Sequence, residues 1–297
     1  MVIATGFFDG VHLGHRAVIS ALCRVARERG EESMVVTFWP HPRNVLQQDA
    51  EGLRLLTSLD EKKEILHGLG VDRIEVLAFT KEFSRLSAEE FIRDYIVGRF
   101  GGTTLILGYD HRLGGGPPMS REELENLARR LGLETYRMGE EDFDGIPISS
   151  TVIRNMLKAG EIEKANDMLG YRYGLHGVVV SGNKLGREIG FPTANMELYE
   201  PLKLLPGDGA YVVEADVLGS TYYGMTNIGT RPTVSAAMKR TIETNVFDFS
   251  SDIYGLDMKL RFISRIRGEV RFDSVNDLKC RLSEDREAAM MKIRRLR

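Results

Sequence analysis

Apolar runs of two different periods alternate along the first half of the chain. Residues 2–5, 34–38, 73–79, 104–107 and 133–138 are short and apolar or β-rich, which predicts strands. Between them lie stretches of helical spacing. Within residues 16–29, Val18, Leu22 and Val25 recur on one face, and Gly30 ends that helix. Three later helices are announced by a serine followed three residues on by a glutamate: Ser58 with Glu61, Ser87 with Glu90, and Ser120 with Glu123. In each pair the hydroxyl and the carboxylate can satisfy N–H groups that lack an acceptor in the first turn. Gly70, Gly101 and Gly132 are placed to close them. Alternation of this kind predicts a parallel sheet with helices on both faces.

After about residue 172 the period becomes two. Tyr211, Val213, Ala215 and Val217 share one face of a strand, and Met258, Leu260 and Phe262 share another. Several such runs, punctuated by Gly, Pro and Asn, predict an antiparallel barrel or sandwich. Residues 274–297 return to helical spacing. The boundary is therefore placed near residues 169–173, giving one domain over 1–170 and a second over 171–297. There is no internal repeat and no low-complexity segment.

Composition narrows the class of protein. A chain of 297 residues suits one large domain or two ordinary ones. The net charge of −3, with Lys and Arg spread along the chain, argues against a nucleic-acid partner. Cys23 and Cys280 lie in different halves and suit a reducing compartment. No apolar run approaches the ~18 residues of a membrane span. The N-terminal MVIATG lacks a charged n-region, so no signal peptide or membrane partner is expected and a cytoplasmic location is.

The stretch GFFDGVHLGH, residues 6–15, follows the first expected strand and precedes the first helix. Open α/β sheets bind ligands at such turns, outside the carboxyl ends of the strands. Gly6 and Gly10 let the backbone turn and approach a ligand closely, and Gly14 allows tight packing of the next helix. His12 and His15, three apart at a helix start, lie on the same side. Metal, nucleotide and simple turn are all open readings. A structural zinc site needs four ligands, and neither cysteine is nearby in sequence. Imidazoles beside a helix N-terminus can donate to phosphate oxygens, which favours a nucleotide. A second signal is ISSTVIR, residues 148–154, where Ser149, Ser150 and Thr151 precede a helix expected from Val152 and Arg154 lies one turn in. Hydroxyls, free N–H groups and a guanidinium at one helix start make an anion cradle.

In the second half, residues 177–184 read G-x-x-x-x-G-x-K but lack the GK[ST] ending and the strand-to-helix setting of a P-loop. GREIGFPTAN, residues 186–195, is more informative. Thr193 and Asn195 offer oxygen ligands on one face of an extended segment, the kind of donor Mg²⁺ takes together with substrate phosphates.

GFFDGVHLGH, TFWPHP at 37–42 and ISSTVIR together resemble the nucleotidylyltransferase half of prokaryotic bifunctional riboflavin kinase/FMN adenylyltransferases. LLTSLDEKKEILHGLGVD and FSRLSAEEFI look like that family's linking segments. MTNIGTRPTV, ETNVFDF and RIRGEVRFDSV look like its riboflavin kinase module. The resemblance implies a Rossmann-like α/β nucleotidylyltransferase domain followed by a small antiparallel β-barrel with a C-terminal helix. It implies phosphorylation of riboflavin to FMN and adenylylation of FMN to FAD, with ATP as co-substrate and Mg²⁺ serving both steps. A monomer or weak homo-oligomer is expected.

The resemblance also implies roles for particular residues. His12 and His15 would act on the ATP phosphates at the reacting centre, Gly6, Phe7 and Asp9 would be among the ATP phosphate-binding residues, and Asp9 and His41 would shape the pocket. Ser149, Ser150, Thr151 and Arg154 would hold the departing pyrophosphate. Gly108 and Asp110 would lie near flavin or adenine. In the second half, Gly186 and Arg187 would bind nucleotide, Thr193 and Asn195 would hold Mg²⁺–ATP, and Glu243 would accept the riboflavin hydroxyl proton. Two departures stand out. GYDHRLGGGPPMS, residues 108–120, has His111 and Leu113 where relatives carry aromatics, and predicts a floppy loop on the flavin side. Asn245 stands where relatives commonly carry a histidine, which predicts weaker substrate positioning. Competing readings are a chain with one surviving activity and a flavin-responsive binding protein. A pure binder would have no need of a base such as Glu243.

Overall fold

The computed structural model describes residues 1–46, 53–108, 113–116, 119–139, 142–143, 145–182, 186, 189–232, 238–272 and 274–296. They fall into two compact units, Met1–Ser150 and Thr151–Arg297.

The first unit is built on a five-stranded sheet. Its strands are β1 (Val2–Thr5), β2 (Ser33–Trp39), β3 (Arg73–Ala78), β4 (Thr104–Leu107) and β5 (Glu134–Arg137), in the spatial order β3-β2-β1-β4-β5. Every neighbouring pair is parallel. Because side chains alternate across a strand, the sheet feeds two cores. Ile3, Val36 and Leu105 face one layer, with Phe91, Ile92, Ile96, Leu124 and Leu127. Val2, Ala4, Val35 and Ile106 face the other, with Ile19, Leu22, Val25 and Leu66. The second layer comes from α1 (Leu13–Arg29) and α3 (Leu59–Gly68), which follows the short α2 (Pro42–Leu46). The first comes from α4 (Ala88–Glu90), which runs on as a π-helical stretch over Phe91–Arg99, and from α5 (Arg121–Arg130). All three Ser-x-x-Glu pairs form reciprocal capping boxes. Gly70, Gly101 and Gly132 follow with φ of 88°, 63° and 84°, a conformation that costs glycine least. The strand order reverses between β1 and β4, and that crevice is where such sheets take ligands.

A small hairpin of β6 (Asp142–Phe143) and β7 (Ile146–Pro147) precedes α6 (Ser150–Ala159) and α7 (Ile162–Leu169). The division into units falls between Ser150 and Thr151, upstream of the 170/171 boundary expected from sequence. Asn166 of α7 explains why α7 goes with the second unit. Its side chain donates to Phe262 O at 2.9 Å and accepts from Tyr173 N at 2.7 Å.

In the second unit the strands are β8 (Gly174–Val180), β9 (Ala194–Leu198), β10 (Gly209–Val217), β11 (Ser220–Pro232), β12 (Met238–Val246) and β13 (Asp257–Gly268). They close into an antiparallel barrel in the order β10-β11-β12-β9-β8-β13. Tyr211, Val213, Ala215 and Val217 are buried as their period predicts, yet Val212 between them is buried too. The reason is α8 (Val275–Arg294), whose Ala289 and Ile293 cover Val212, Met225, Phe247 and Ile263. The β13 register skips Ile263 and Ile266 against β10, and both residues of these bulges pack into that same cluster. A buried pair between Arg267 and Asp285, with Nη2–Oδ2 at 2.8 Å, fixes α8 to the barrel.

Candidate active sites

Beyond Thr5 the chain makes a loop that the sequence alone does not specify. Phe8, Gly10 and Val11 have φ of 48°, 82° and 34°. A positive φ is strained for a β-branched residue such as Val11, and strain of this kind gathers at functional loops. Gly6 is needed because the Phe8 ring folds back over it, and an added Cβ would stand 3.1 Å from that ring. The buried Asp9 carboxylate accepts from Leu56 N at 3.0 Å and Thr57 N at 3.1 Å, while Gly10 N donates to Thr57 Oγ1 at 3.1 Å. Ser150 Oγ donates to Asp9 O at 2.9 Å. Asp9 thus shapes the loop through its neighbours. Phe7 turns its ring into an aromatic cluster, with centroids 5.1 Å from both Phe38 and His41.

The two histidines begin α1. His12 is the N-cap, and its Nδ1 accepts from His15 N at 3.3 Å. An accepting Nδ1 leaves the proton of the neutral ring on Nε2. The rings stack, with centroids 3.6 Å apart and planes 18° from parallel. Burial first, then the neighbouring His12 and Lys62, hold His15 well below the ordinary histidine value, so it stays neutral at pH 7. Its Nδ1 is buried and has no hydrogen-bond partner among the described residues. Among the described residues no group of three or more His, Cys, Asp or Glu could hold a metal ion. A helix N-terminus with imidazole donors and an unmatched ring nitrogen suits an anion instead.

No motif in the sequence singles out Lys62, because a lysine in DEKKE reads as a solvated helix face. It is buried at 3% exposure, on the same face of α3 as Leu66 four residues on. That i, i+4 spacing was the available signal. Burial pulls its ammonium down to about 8, against the favourable pull of Asp9.

Other expected residues are placed as follows. Gly108 directly follows β4, beside the carboxyl end of β1. Asp110 and His111 lie outside the described residues. α6 starts at Ser150, not at Val152, so Ser149 precedes it and Thr151 and Arg154 lie within it, in the second unit. The loop expected to be floppy is docked where it is described. Gly115 N donates to Leu86 O at 2.8 Å, and a Cβ on Gly115 would sit 1.9 Å from Ser84 O. Only glycine fits so close to another backbone.

In the barrel, Glu243 of β12 is paired in register with Asn227 of β11 and Asn195 of β9. Residues directly opposite share a face, so the three form one row. Thr226 and Thr244 point to the other face, buried and 2.8 Å apart. Thr241 Oγ1 donates to Glu243 Oε1 at 3.2 Å. Two bare backbone positions frame the expected metal ligands. A Cβ on Gly182 would meet Asn195 Nδ2 at 2.0 Å, and one on Gly186 would meet Thr193 Oγ1 at 3.2 Å. Oxygen-bearing side chains in a cradle that a single Cβ would fill fit Mg²⁺ carried by a nucleotide. Arg187 lies outside the described residues. Asn245, the departure from the family pattern, is buried, and its Nδ2 donates to Pro192 O at 2.7 Å. It holds the segment that carries Thr193.

Residues 1–152 match the sequence model of FAD synthetase, and residues 169–293 match that of riboflavin kinase. The chain belongs to the bifunctional riboflavin kinase/FMN adenylyltransferase family. It is 37% identical to the bifunctional riboflavin kinase/FMN adenylyltransferase of Bacillus subtilis (strain 168), over 100% of this chain and 93% of that protein. The Escherichia coli (strain K12) protein of the same description is 36% identical, over 96% of this chain and 90% of its own length. A Streptococcus pneumoniae crystal structure described as a macrolide-efflux protein shares the fold. Its TM-score is 0.89 at 31% identity, covering 97% of this chain and 93% of that one. Among the described residues of the present chain, no helix is long and apolar enough to cross a membrane.

Within this bifunctional family member, tertiary structure brings Gly6, Asp9, His12, His15 and Ser150 to one loop, and Asn195 and Glu243 to one row. Thr57, Lys62 and Asn227 join these groups although no sequence motif marks them. Thr57 meets Asp9 only through folding, since nothing local links positions so far apart. Asn227 joins the row through the β11–β12 register.

Proposed function

We propose that the His12–His15 loop carries the adenylyl transfer of this riboflavin kinase and FMN adenylyltransferase, and that the Glu243 row carries its phosphoryl transfer. The enzyme serves FAD biosynthesis. The observation that carries the assignment is the stacked imidazole pair at the N-terminus of α1, its His12 buried and capping the helix, at the sheet's switch point.

In the first unit's reaction, a phosphate oxygen of FMN attacks the α-phosphorus of ATP, and the bond to the bridging β-oxygen breaks to release pyrophosphate. Such transfers depend on positioning and electrostatics more than on covalent help. His12, protonated on Nε2, donates toward the α-phosphoryl oxygens. His15, kept neutral, adds a donor without the desolvation cost of a buried imidazolium. Ser149, Ser150, Thr151 and Arg154 hold the leaving pyrophosphate. The Ser150 hydroxyl proton is committed to Asp9 O, so what Ser150 offers a phosphate is its backbone N–H in the first turn of α6. For Gly108 and Asp110 the family resemblance implies a role toward flavin or adenine.

In the second unit's reaction, Glu243 takes the proton of the riboflavin 5′-hydroxyl as that oxygen attacks the γ-phosphorus and ADP leaves. Gly186 and Arg187 bind the nucleotide. Thr193 and Asn195 would hold Mg²⁺, which when bound neutralises phosphate charge. Both reactions draw on ATP, which supports the cytoplasmic location expected from sequence, and a monomer or weak homo-oligomer suffices. The test is product analysis with ATP, Mg²⁺ and either riboflavin or FMN, separated chromatographically. FMN and then FAD are expected from riboflavin. No FMN would remove the Glu243 assignment, and no FAD from FMN would remove the His12–His15 assignment.

A further inference from the structure

The first unit buries an ammonium that its described residues do not satisfy. Among the described residues, Lys62 Nζ, at 3% residue exposure, has one hydrogen-bond acceptor, Thr37 Oγ1, at a long 3.4 Å. An ammonium carries three donors, and no carboxylate among the described residues lies within ion-pair distance of it. Thr37 Oγ1 is in turn 3.4 Å from Phe7 O, so this lysine reaches the underside of the loop that His12 and His15 complete. Asp9 and His15 are its charged and titratable neighbours. The Asp9 carboxylate is turned to the N–H groups of Leu56 and Thr57.

A buried cation with unused donors is costly, and natural proteins keep one where an anion is to arrive. Nδ1 of His15, also without a partner among the described residues, is a second orphan in the same neighbourhood. We infer that Lys62 is a phosphate-binding residue of the adenylyl-transfer site, supplying a cation beside the neutral His15. This rests on the nucleotide reading of that loop. A phosphate at that point could come from ATP or from FMN, and the chemistry that recognises it is the same.

Lys62→Met in the full-length protein, with Lys62→Arg as the charge-keeping control, tests it. FMN formation from riboflavin serves as an internal check on folding and is expected to stay unchanged in both variants. In FAD formation, Lys62→Met should lose about 10- to 100-fold in kcat/KM, the size of one charged hydrogen bond, with partial rescue by Lys62→Arg. A rise in KM for ATP alone assigns the phosphate to ATP, and a rise in KM for FMN alone assigns it to FMN. A fall in kcat alone assigns the contact to the reacting phosphoryl group. The thermal midpoint of Lys62→Met should rise, because an uncompensated charge has been removed. Unchanged FAD kinetics would overturn the inference, as would a loss that comes with a lower midpoint and no rescue by arginine. His15→Ala is run in parallel. If it keeps full FAD formation, the nucleotide reading itself fails; if it is inactive while Lys62→Met is not, only the lysine assignment fails.

Discussion

Nδ1 of His12 accepts the backbone N–H of His15 at 3.3 Å, so one of the two rings of the pair also caps the helix that presents them. Cap and chemistry can be separated. His12→Asn keeps a side-chain acceptor and should cost little stability, whereas His12→Ala should cost about 1 kcal/mol, the usual value of a lost cap. Both should lose FAD formation. Urea denaturation alongside the FAD assay distinguishes the two effects.

His15→Ala should block FAD formation and spare FMN formation, and Glu243→Gln should do the reverse. Each unit then acts as the control for the other. Chromatography of products from riboflavin and from FMN reads both. Undiminished FAD from His15→Ala would end that assignment.

The His15 ring makes a signed prediction for pH. Its folded value lies well below 6.5, where the unfolded chain titrates. As pH falls below about 6.5 the unfolded state takes a proton that folded His15 refuses, so stability should decline there. His15→Gln should remove that part of the slope. An NMR titration of the ring should show no midpoint near 6.5 in the wild-type protein.

Gly115 and Gly116 are adjacent and should behave differently. A Cβ at Gly115 would overlap the Ser84 carbonyl oxygen at 1.9 Å, while one at Gly116 meets nothing within 4 Å. Gly115→Ala should cost about 1–3 kcal/mol by forcing the docked segment off the Ser84–Leu86 backbone, and Gly116→Ala should be near neutral. Equal stability of the two variants in urea would show that this segment is not held as described.

Gly182→Ala should act on the kinase reaction alone. Its new methyl group would occupy the place of the Asn195 amide, 2.0 Å away, and a side chain can move where a backbone cannot. FMN formation should fall at least about tenfold, equivalent to roughly 1.4 kcal/mol, with FAD formation from FMN intact.

Much of this was legible along the chain because it is local. The Ser-x-x-Glu boxes, the closing glycines and the period-two strands depend on neighbours a few residues apart, and all appear as expected. The choice of a barrel over a sandwich was not local. It required β13 to pair with both β10 and β8, a closure no single strand encodes. The docking of residues 113–116 was hidden for a related reason. Gly114 and Gly115 sit where another backbone passes too close for a side chain, and that backbone is remote in sequence.

By itself the sequence determined the alternation of elements, the position of the histidine turn at the first strand's end and the resemblance carried by its motifs. Those follow from periodicity, capping chemistry and residue identity at short range. Tertiary structure alone decided that Asp9 would spend its carboxylate on Leu56 and Thr57, and that Asn227, Glu243 and Asn195 would fall in one row. It also buried Lys62 beneath the loop. Such contacts join segments far apart in the chain, and only the packing of whole elements onto the sheet or around the barrel brings them within reach of one another.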